Sequence, residues 1–516
     1  MNGAESLVRS LLANGVDTCF ANPGTSEMHF VAALDRVPGV RCILGLQENV
    51  VTGMADGYYR IRRAPAATLL HCGPGLSNGL ANLHNARRAE SGIVNIVGDH
   101  ATAHRPYDSP LTADVPALAG TVSAFVCTPR SATTLASDAG RASAAAKQHP
   151  GQIATLILPA DISWSDGGVE VAPGVPDPAP VIDPHAVDTA RKLLAGSGRK
   201  LILLGNSTAT KEAAALAFAI ADHTGAEVMG SSLIAAHPAG RGTRPFPRVP
   251  YYVDHAIEVL AKYDTVLLVN CPPPVGFFGY PGKPSELCRP DALLHTLTRS
   301  DQDGTAALML LAEMLGLDQG SVGAVPTPKL SPVELPQGEL SPEKLDLALA
   351  ALLPAHAIIV DESLTYSNGY PVTKASAEPH DWLIITGGAI GGGMPVSTGA
   401  AVAGEGRRVV NLQADGSAAY TLQSLWTQAR ENLPCTTVLL NNGRYNILLG
   451  EYKNVGAVPG PTAMSMLDLG NPTIRWAEMA RSMGVEAVTA TSMEEYTKAL
   501  AHSFASAGPY FIELLV

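Results

Sequence analysis

Apolar and polar positions alternate along this chain in one coarse rhythm. Short runs rich in Val, Ile and Leu (PAATLLH at 65–71, IVNIVG at 93–98, ATLILP at 154–159, KLILLG at 200–205, DTVLLV at 264–269, AIIVDE at 357–362, VVNLQ at 409–413, TTVLL at 436–440) are separated by longer Ala- and Leu-rich stretches. Such runs read as strands and the stretches between them as helices, and their alternation implies parallel sheets with right-handed crossovers. Two stretches break the rhythm, 166–184 and 318–342, both rich in Pro and Gly and without apolar periodicity; they read as linkers. The predicted fold is therefore α/β, with three consecutive doubly wound parallel-sheet domains at 1–165, 185–318 and 342–516. No repeat stands out beyond this shared rhythm.

Composition agrees with that picture. A chain of 516 residues exceeds one core at roughly 150 residues per domain. Hydrophobic residues at 46%, charged residues at 16% and 50 glycines describe a packed, loop-punctuated protein. A net charge of −12 without a Lys/Arg cluster argues against a nucleic-acid partner. No apolar run has membrane-spanning length, and the chain starts directly in an amphipathic helical pattern with no basic leader. The seven cysteines are scattered without a CxxC pair, as expected of reduced thiols in a cytoplasmic protein.

The most informative stretch is 411–444, NLQADGSAAYTLQSLWTQARENLPCTTVLLNNGR. It reads as strand, sharp turn at Ala414-Asp415-Gly416-Ser417, helix, and second strand ending at Asn441-Asn442-Gly443. In a βαβ unit the carboxyl ends of parallel strands lie side by side and ligands sit outside them. Asp415, Asn442 and a free backbone carbonyl just past it, at Arg444, then form a hard-oxygen half-shell. That shell suits Mg²⁺ completed by phosphate and water. In the first block, Glu48 opens a helix lined by Gly53, Ala55 and Gly57. It is either a charge favoured by the helix dipole or a functional acid. His71 closes the strand at 65–71. Gly73-Pro74-Gly75-x-x-Asn78 is one residue short of GxGxxG, and Asp99 stands loosely where a dinucleotide site keeps its acid.

The Asp-Gly-Ser turn followed by Asn-Asn resembles the thiamine-diphosphate fingerprint of the 2-oxo acid decarboxylase and acetolactate synthase superfamily. This chain departs from the pattern at Ala414, where the family has Gly. Further matches come in the family's order and at both ends of the chain. Glu48, with Ala55-Asp56-Gly57-Tyr58, resembles the pyrimidine-binding domain, whose glutamate hydrogen-bonds the cofactor's aminopyrimidine. Asn22-Pro23-Gly24-Thr25-Ser26-Glu27 and His71 resemble the substrate loop and first catalytic histidine of the benzoylformate decarboxylase group. There the hydroxyl at Thr25 faces the substrate carboxylate. Ser363 and Thr365, with Gly416, Ser417 and Tyr420, match the diphosphate side. In TGGAIGGGMP (386–395), Ile390 corresponds to the prop between the cofactor's two rings and the Gly388 carbonyl to the acceptor for its amino group. A rigid β-branched residue among glycines suits close approach of backbone to a ligand.

The resemblance implies a thiamine-diphosphate- and Mg²⁺-dependent enzyme with pyrimidine-binding, middle and diphosphate-binding domains. It would decarboxylate a 2-oxo acid and then protonate the product carbanion or join it to an aldehyde or second oxo acid. Its active sites would lie between subunits of a homodimer or homotetramer. Phe278 stands where the benzoylformate decarboxylase group has its second histidine, so that substrate does not carry over. Glu451 falls where relatives place large apolar residues; it is either a solvated charge or a second acid/base replacing that histidine. His100 and His104 either line the pocket or belong to an exposed loop. The turn after Leu204 accommodates FAD in some relatives, without a specific signal here. Two alternatives stay open: a dinucleotide-dependent oxidoreductase, and a degenerate member that binds cofactor without turnover.

Overall fold

The computed structural model describes residues 1–245, 247–317, 334–365 and 377–516. In chain order the strands are β1 Thr18–Ala21, β2 Arg41–Leu44, β3 Ala66–Leu70, β4 Ile93–Asp99, β5 Phe125–Cys127, β6 Ile153–Pro159, β7 Lys200–Leu204, β8 Glu227–Gly230 and β9 Ala236–Ala239. There follow β10 Thr265–Val269, β11 Leu293–Thr298, β12 Ile358–Glu362, β13 His380–Ile384, β14 Val409–Ala414, β15 Cys435–Asn441, β16 Glu486–Ala490 and β17 Tyr510–Leu515. All eight apolar runs are strands. They form three sheets in the orders β2-β1-β3-β4-β6-β5, β11-β10-β7-β8 and β16-β17-β15-β14-β12-β13-β9.

The first two sheets are parallel throughout. The third corrects the expected all-parallel, strictly consecutive arrangement. β9 comes from the middle stretch of sequence but pairs antiparallel with β13 at the edge of the third sheet. The 166–184 linker is also less free than its composition suggests. It lies along the first block, where Val169 O accepts from Ser6 Oγ and Gly174 N donates to Asn14 Oδ1. Residues 318–333 of the second linker lie outside the described residues. No helix among the described residues is long and apolar enough to cross a membrane.

Two buried helices join the first and third sheets. Gln47 caps the Glu48–Arg62 helix, its Oε1 accepting from Asn49 N and Val50 N at 2.6 and 3.2 Å, which satisfies donors that a helix start leaves open. That helix crosses Gly393–Ala403 at backbone contact. A Cβ on Gly57 would overlap the Val396 carbonyl, one on Gly399 the Met54 carbonyl, and one on Gly53 would press on Pro395. Beside the crossing, Arg60 makes a buried two-pronged bond to Asp56, Nε to Oδ1 at 2.8 Å and Nη2 to Oδ2 at 2.5 Å. Its Nη1 continues to Ile384 O at 2.6 Å and Ala235 O at 3.3 Å. One guanidinium thus joins the first-block Asp56 carboxylate to middle and third-sheet backbone, a planar fork that lysine could not reproduce.

Where the first block meets the middle one, burial pushes the Glu90 carboxyl up to about 7, against the Asn206 side chain and Arg63. Its folded value lies above the ordinary 4.5, so the folded state holds the proton longer than the unfolded chain. Stability from this group is complete below pH 4.5 and is lost as pH rises towards 7. Glu90→Gln should flatten that decline, as read by thermal unfolding between those pH values; an unaltered slope would assign it to other groups. Gly57→Ala should separate the two helices at a cost of ~1–3 kcal/mol and lower the unfolding temperature. Gly450→Ala, at an exposed helical glycine with open space, should instead gain up to about 1 kcal/mol.

Candidate active site

β14 and β15 run parallel in register, Ala414 opposite Leu440, so Asp415 and Asn442 leave the sheet at the same edge. Asp415 is buried; its Oδ1 accepts from Gly416 N and its Oδ2 from Gly443 N, both at 2.8 Å. Burial raises its pKa, and these backbone N–H groups oppose the shift. Asn442 Oδ1 accepts from Arg444 N at 3.1 Å and the Arg444 carbonyl from Asn446 N at 3.0 Å. Carboxylate and carbonyl oxygens keep lone pairs beyond these bonds, so the three oxygens of the expected half-shell remain able to ligate. Thr365 joins them, its Oγ1 accepting from Asn446 Nδ2 at 3.4 Å.

Two expected phosphate-side hydroxyls point elsewhere. Ser363 Oγ donates to Asp361 Oδ1 at 2.7 Å, and buried Ser417 donates to Ala414 O at 3.0 Å while receiving the Gln413 amide. Both close their own turns, a habit of short hydroxyl side chains at strand ends. At these positions the backbone is what remains for a ligand. Gly416 has no room for a side chain because the Tyr445 ring covers it, and Tyr420 is exposed beside Gly391.

The glycine loop is held from both sides. Buried Glu362, at the end of β12, accepts from Gly391, Gly392 and Gly393 N at 2.8, 3.3 and 2.7 Å and from Gln413 Nε2 at 2.9 Å. Burial raises its pKa against these four donors, which match an ionised, acceptor-only carboxylate. From the Cys72–Arg88 helix, His84 Nε2 meets Gly387 O at 3.1 Å, Asn85 Nδ2 donates to Ala389 O at 2.7 Å and Asn82 Nδ2 to Gly391 O at 3.4 Å. Among the described residues the Gly388 carbonyl is left without such a partner. Gly388 and Gly391 have φ of 79° and 95°, the left-handed region that favours glycine, and half-buried Ile390 stands between them. Sequence reasoning passed over Glu362 and the asparagines; a carboxylate closing the otherwise apolar run AIIVDE was the available signal.

At the first sheet, Glu48 is half-buried, accepts from Asn78 Nδ2 at 3.0 Å and lies against Gly75. His71 Nδ1 lies 2.9 Å from Oε2 of fully buried Glu27, which also accepts from Gly24 N at 2.7 Å. Burial raises the Glu27 pKa, with His71 the largest opposing influence. This pairing was not foreseen, although Glu27 stands in the quoted loop. Gly24 packs on the His71 ring, and Thr25 is exposed in the same turn. Burial holds the neighbouring Cys72 thiol at about 11, a poor nucleophile.

The remaining expectations separate. Asp99 is buried, accepts from His100 N at 2.8 Å and faces Arg105 Nε at 3.4 Å. Gly73 and Gly75 lie in the first turn of the Cys72–Arg88 helix, closed by Ala113 and the Glu48 carboxylate respectively, so the dinucleotide alternative finds neither its acid nor its open cradle. His100 bonds Ser109 Oγ at 3.1 Å and lies 5.7 Å from the His104 ring. Asn206, after β7, donates to Arg88 O and accepts from Ala235 N; the turn is committed to packing and offers no specific FAD contact. Phe278 is exposed beside Phe277, whose ring packs on Gly388. Glu451 is half-buried, and its Oε2 accepts from Tyr280 OH at 2.8 Å.

Glycines that admit a ligand against the backbone, an open carbonyl, and a buried carboxylate with an amide and a carbonyl beside it gather at this edge. Residues 1–117 match the thiamine pyrophosphate enzyme N-terminal TPP binding domain, and residues 370–514 the C-terminal TPP binding domain. Over its whole length the chain is 46% identical to 99% of "Putative acetolactate synthase large subunit IlvX" of Mycobacterium tuberculosis. Across 98% of its length it is 28% identical to 97% of benzoylformate decarboxylase of Pseudomonas aeruginosa. The solved thiamine diphosphate-dependent 4-hydroxybenzoylformate decarboxylase of Rhodococcus jostii superposes with a TM-score of 0.85 at 25% identity, covering 100% of this chain and 99% of that one. This chain belongs to the thiamine pyrophosphate enzymes. It is accordingly an enzyme whose cofactor is thiamine pyrophosphate, also called thiamine diphosphate.

Glu362→Gln would turn an NH₂ group towards amides that need an acceptor, at ~1–3 kcal/mol. We expect thiamine diphosphate affinity to fall about tenfold, measured by calorimetry at fixed Mg²⁺. Unchanged affinity would show that the loop holds its shape without this carboxylate.

Proposed function

We propose that this enzyme decarboxylates a 2-oxo acid with thiamine diphosphate and Mg²⁺, then protonates the product carbanion or joins it to a second carbonyl compound. The observation that carries this reading is the glycine loop. Three of its carbonyls are held by the first block, and the Gly388 carbonyl is left open beside Ile390, after β13 at the same carboxyl edge of the sheet from which Asp415 and Asn442 leave β14 and β15. Bound thiamine diphosphate supplies a nucleophilic carbon for the oxo group and a ring that takes up the electron pair released with CO₂.

The chain's own residues set the stage for that chemistry. Asp415, the Asn442 amide oxygen and the Arg444 carbonyl hold Mg²⁺, with Thr365 alongside. Backbone at Ser363, Gly416 and Ser417, with Tyr420, borders the diphosphate. Gly388 O fixes the cofactor's amino group and Ile390 props its rings. Glu48 holds a proton at the pyrimidine nitrogen. Glu27 binds His71 Nδ1 and thereby orients the ring, leaving Nε2 to carry a proton to or from the substrate. Thr25, exposed in the same loop, receives the substrate carboxylate.

No hydrogen bond among the described residues links Glu48 or His71 to the Asp415 edge. Similarity to the thiamine pyrophosphate enzymes supports a site completed by a second copy of the chain, in a homodimer or homotetramer, which we place in the cytoplasm. We read the domains as 1–165, 185–318 and 342–516, with β9 exchanged from the second to the third.

Purified protein with thiamine diphosphate, Mg²⁺ and a panel of 2-oxo acids, alone and with aldehydes, tests the proposal by product NMR. Glu48→Gln should lower turnover by about 10²–10⁴, and Asp415→Asn should abolish the Mg²⁺ dependence of cofactor binding. Full turnover in Glu48→Gln would overturn the assignment. Saturable cofactor binding without turnover of any 2-oxo acid would favour the degenerate reading.

A further inference from the structure

A row of aromatic rings leads away from the glycine loop. Phe277 packs on Gly388, and its ring lies 4.9 Å from that of Phe278, which lies 6.4 Å from that of Tyr280. Tyr251 flanks the row, 5.3 Å from Phe277. Phe277 and Phe278 are 40% and 54% exposed. At the far end stands half-buried Glu451 on the Asn446–Asn454 helix. Its Oε2 accepts from Tyr280 OH at 2.8 Å and its Oε1 from Asn454 Nδ2 at 3.3 Å.

No cationic side chain among the described residues pairs with Glu451. Lys283 lies 5.5 Å from the Tyr280 ring centroid but is bound to Asp254 at 2.8 Å. Burial, with a smaller contribution from the Glu451 charge, pushes the Tyr251 phenol up to about 12. Exposed rings beside an uncompensated carboxylate are each unfavourable alone. Together they match one chemistry, because cations are attracted to aromatic faces and pair strongly with carboxylates.

We propose that Glu451, with Tyr280, Tyr251, Phe277 and Phe278, binds an ammonium or guanidinium group at the far end of an elongated substrate side chain whose oxo end lies at the Gly388 loop. This rests on the 2-oxo acid reading above and names the substrate class within it: a 2-oxo acid with a flat or extended apolar body and a cationic terminus. Glu451 is then a specificity-determining residue and not the acid/base that replaces a histidine.

The test uses the full-length holoenzyme and a matched pair, para-(aminomethyl)phenylglyoxylate and para-methylphenylglyoxylate. Their unreactive counterparts, the correspondingly substituted mandelates, are titrated by calorimetry. The cationic compound should be favoured about tenfold or more in kcat/KM and in mandelate affinity. Glu451→Gln should erase that ratio, with the loss in KM. Tyr280→Phe, which removes only a hydroxyl, should reduce it in part, so the result does not hang on one variant's folding. Turnover of both compounds without a cationic preference, or a preference that survives Glu451→Gln, overturns the inference and leaves the decarboxylase reading standing. Selective, Glu451-dependent mandelate binding without turnover of either oxo acid supports the cation site and removes the decarboxylase reading. Neither turnover nor selective binding overturns the inference.

Discussion

The contact on which this structure depends is the crossing of the Glu48–Arg62 and Gly393–Ala403 helices. Gly53, Gly57 and Gly399 let two backbones touch where any side chain would hold them apart. Dispersion forces fall steeply with separation, so the absence of Cβ atoms here is what brings the first and third sheets together. The Asp56–Arg60 pair sits beside this crossing and links three parts of the chain through one guanidinium. Its worth lies more in fixing how the parts meet than in net stability, since desolvation offsets much of a buried ion pair's attraction. Glu48 opens one of the crossing helices and the glycine loop precedes the other, so the same contact places both.

A second theme is the use of buried carboxylates as anchors for backbone. Glu27, Glu362 and Asp415 each accept backbone N–H groups of a glycine-containing turn. Glycine gives these turns close approach but no side chain with which to fix themselves. A carboxylate close by supplies the missing definition: Glu362 from the end of a neighbouring strand, Glu27 from within its own turn, and Asp415 from the turn it opens together with the one after β15. Burial raises the pKa of all three, and in each case hydrogen bonds work against that shift.

Much of this was legible in the sequence because it depends on local order. Apolar runs that fill central strands announce themselves, and Asp415 and Asn442 lie just past two of them. The weaker edge strands β9 and β16 do not, and β9 joins a sheet other than the one its place in the chain suggests. The resemblance sets the hydroxyls of Ser363 and Ser417 on the diphosphate side, whereas here they turn back to their own loops. Glu27, Glu362, Asn82 and Asn85 were hidden for the opposite reason. Their partners lie on other elements, up to hundreds of positions away, and nothing in a local pattern marks an asparagine that will meet a distant carbonyl.

The ladder of His84, Asn85 and Asn82 against the Gly387, Ala389 and Gly391 carbonyls makes the cofactor loop a joint property of two separate folding units. The third sheet already borrows β9 from the middle stretch, and the loop that shapes its ligand edge takes part of its definition from a helix encoded some three hundred residues earlier. Chain separation, which tolerant modular enzymes survive, would here remove the mould along with the neighbour.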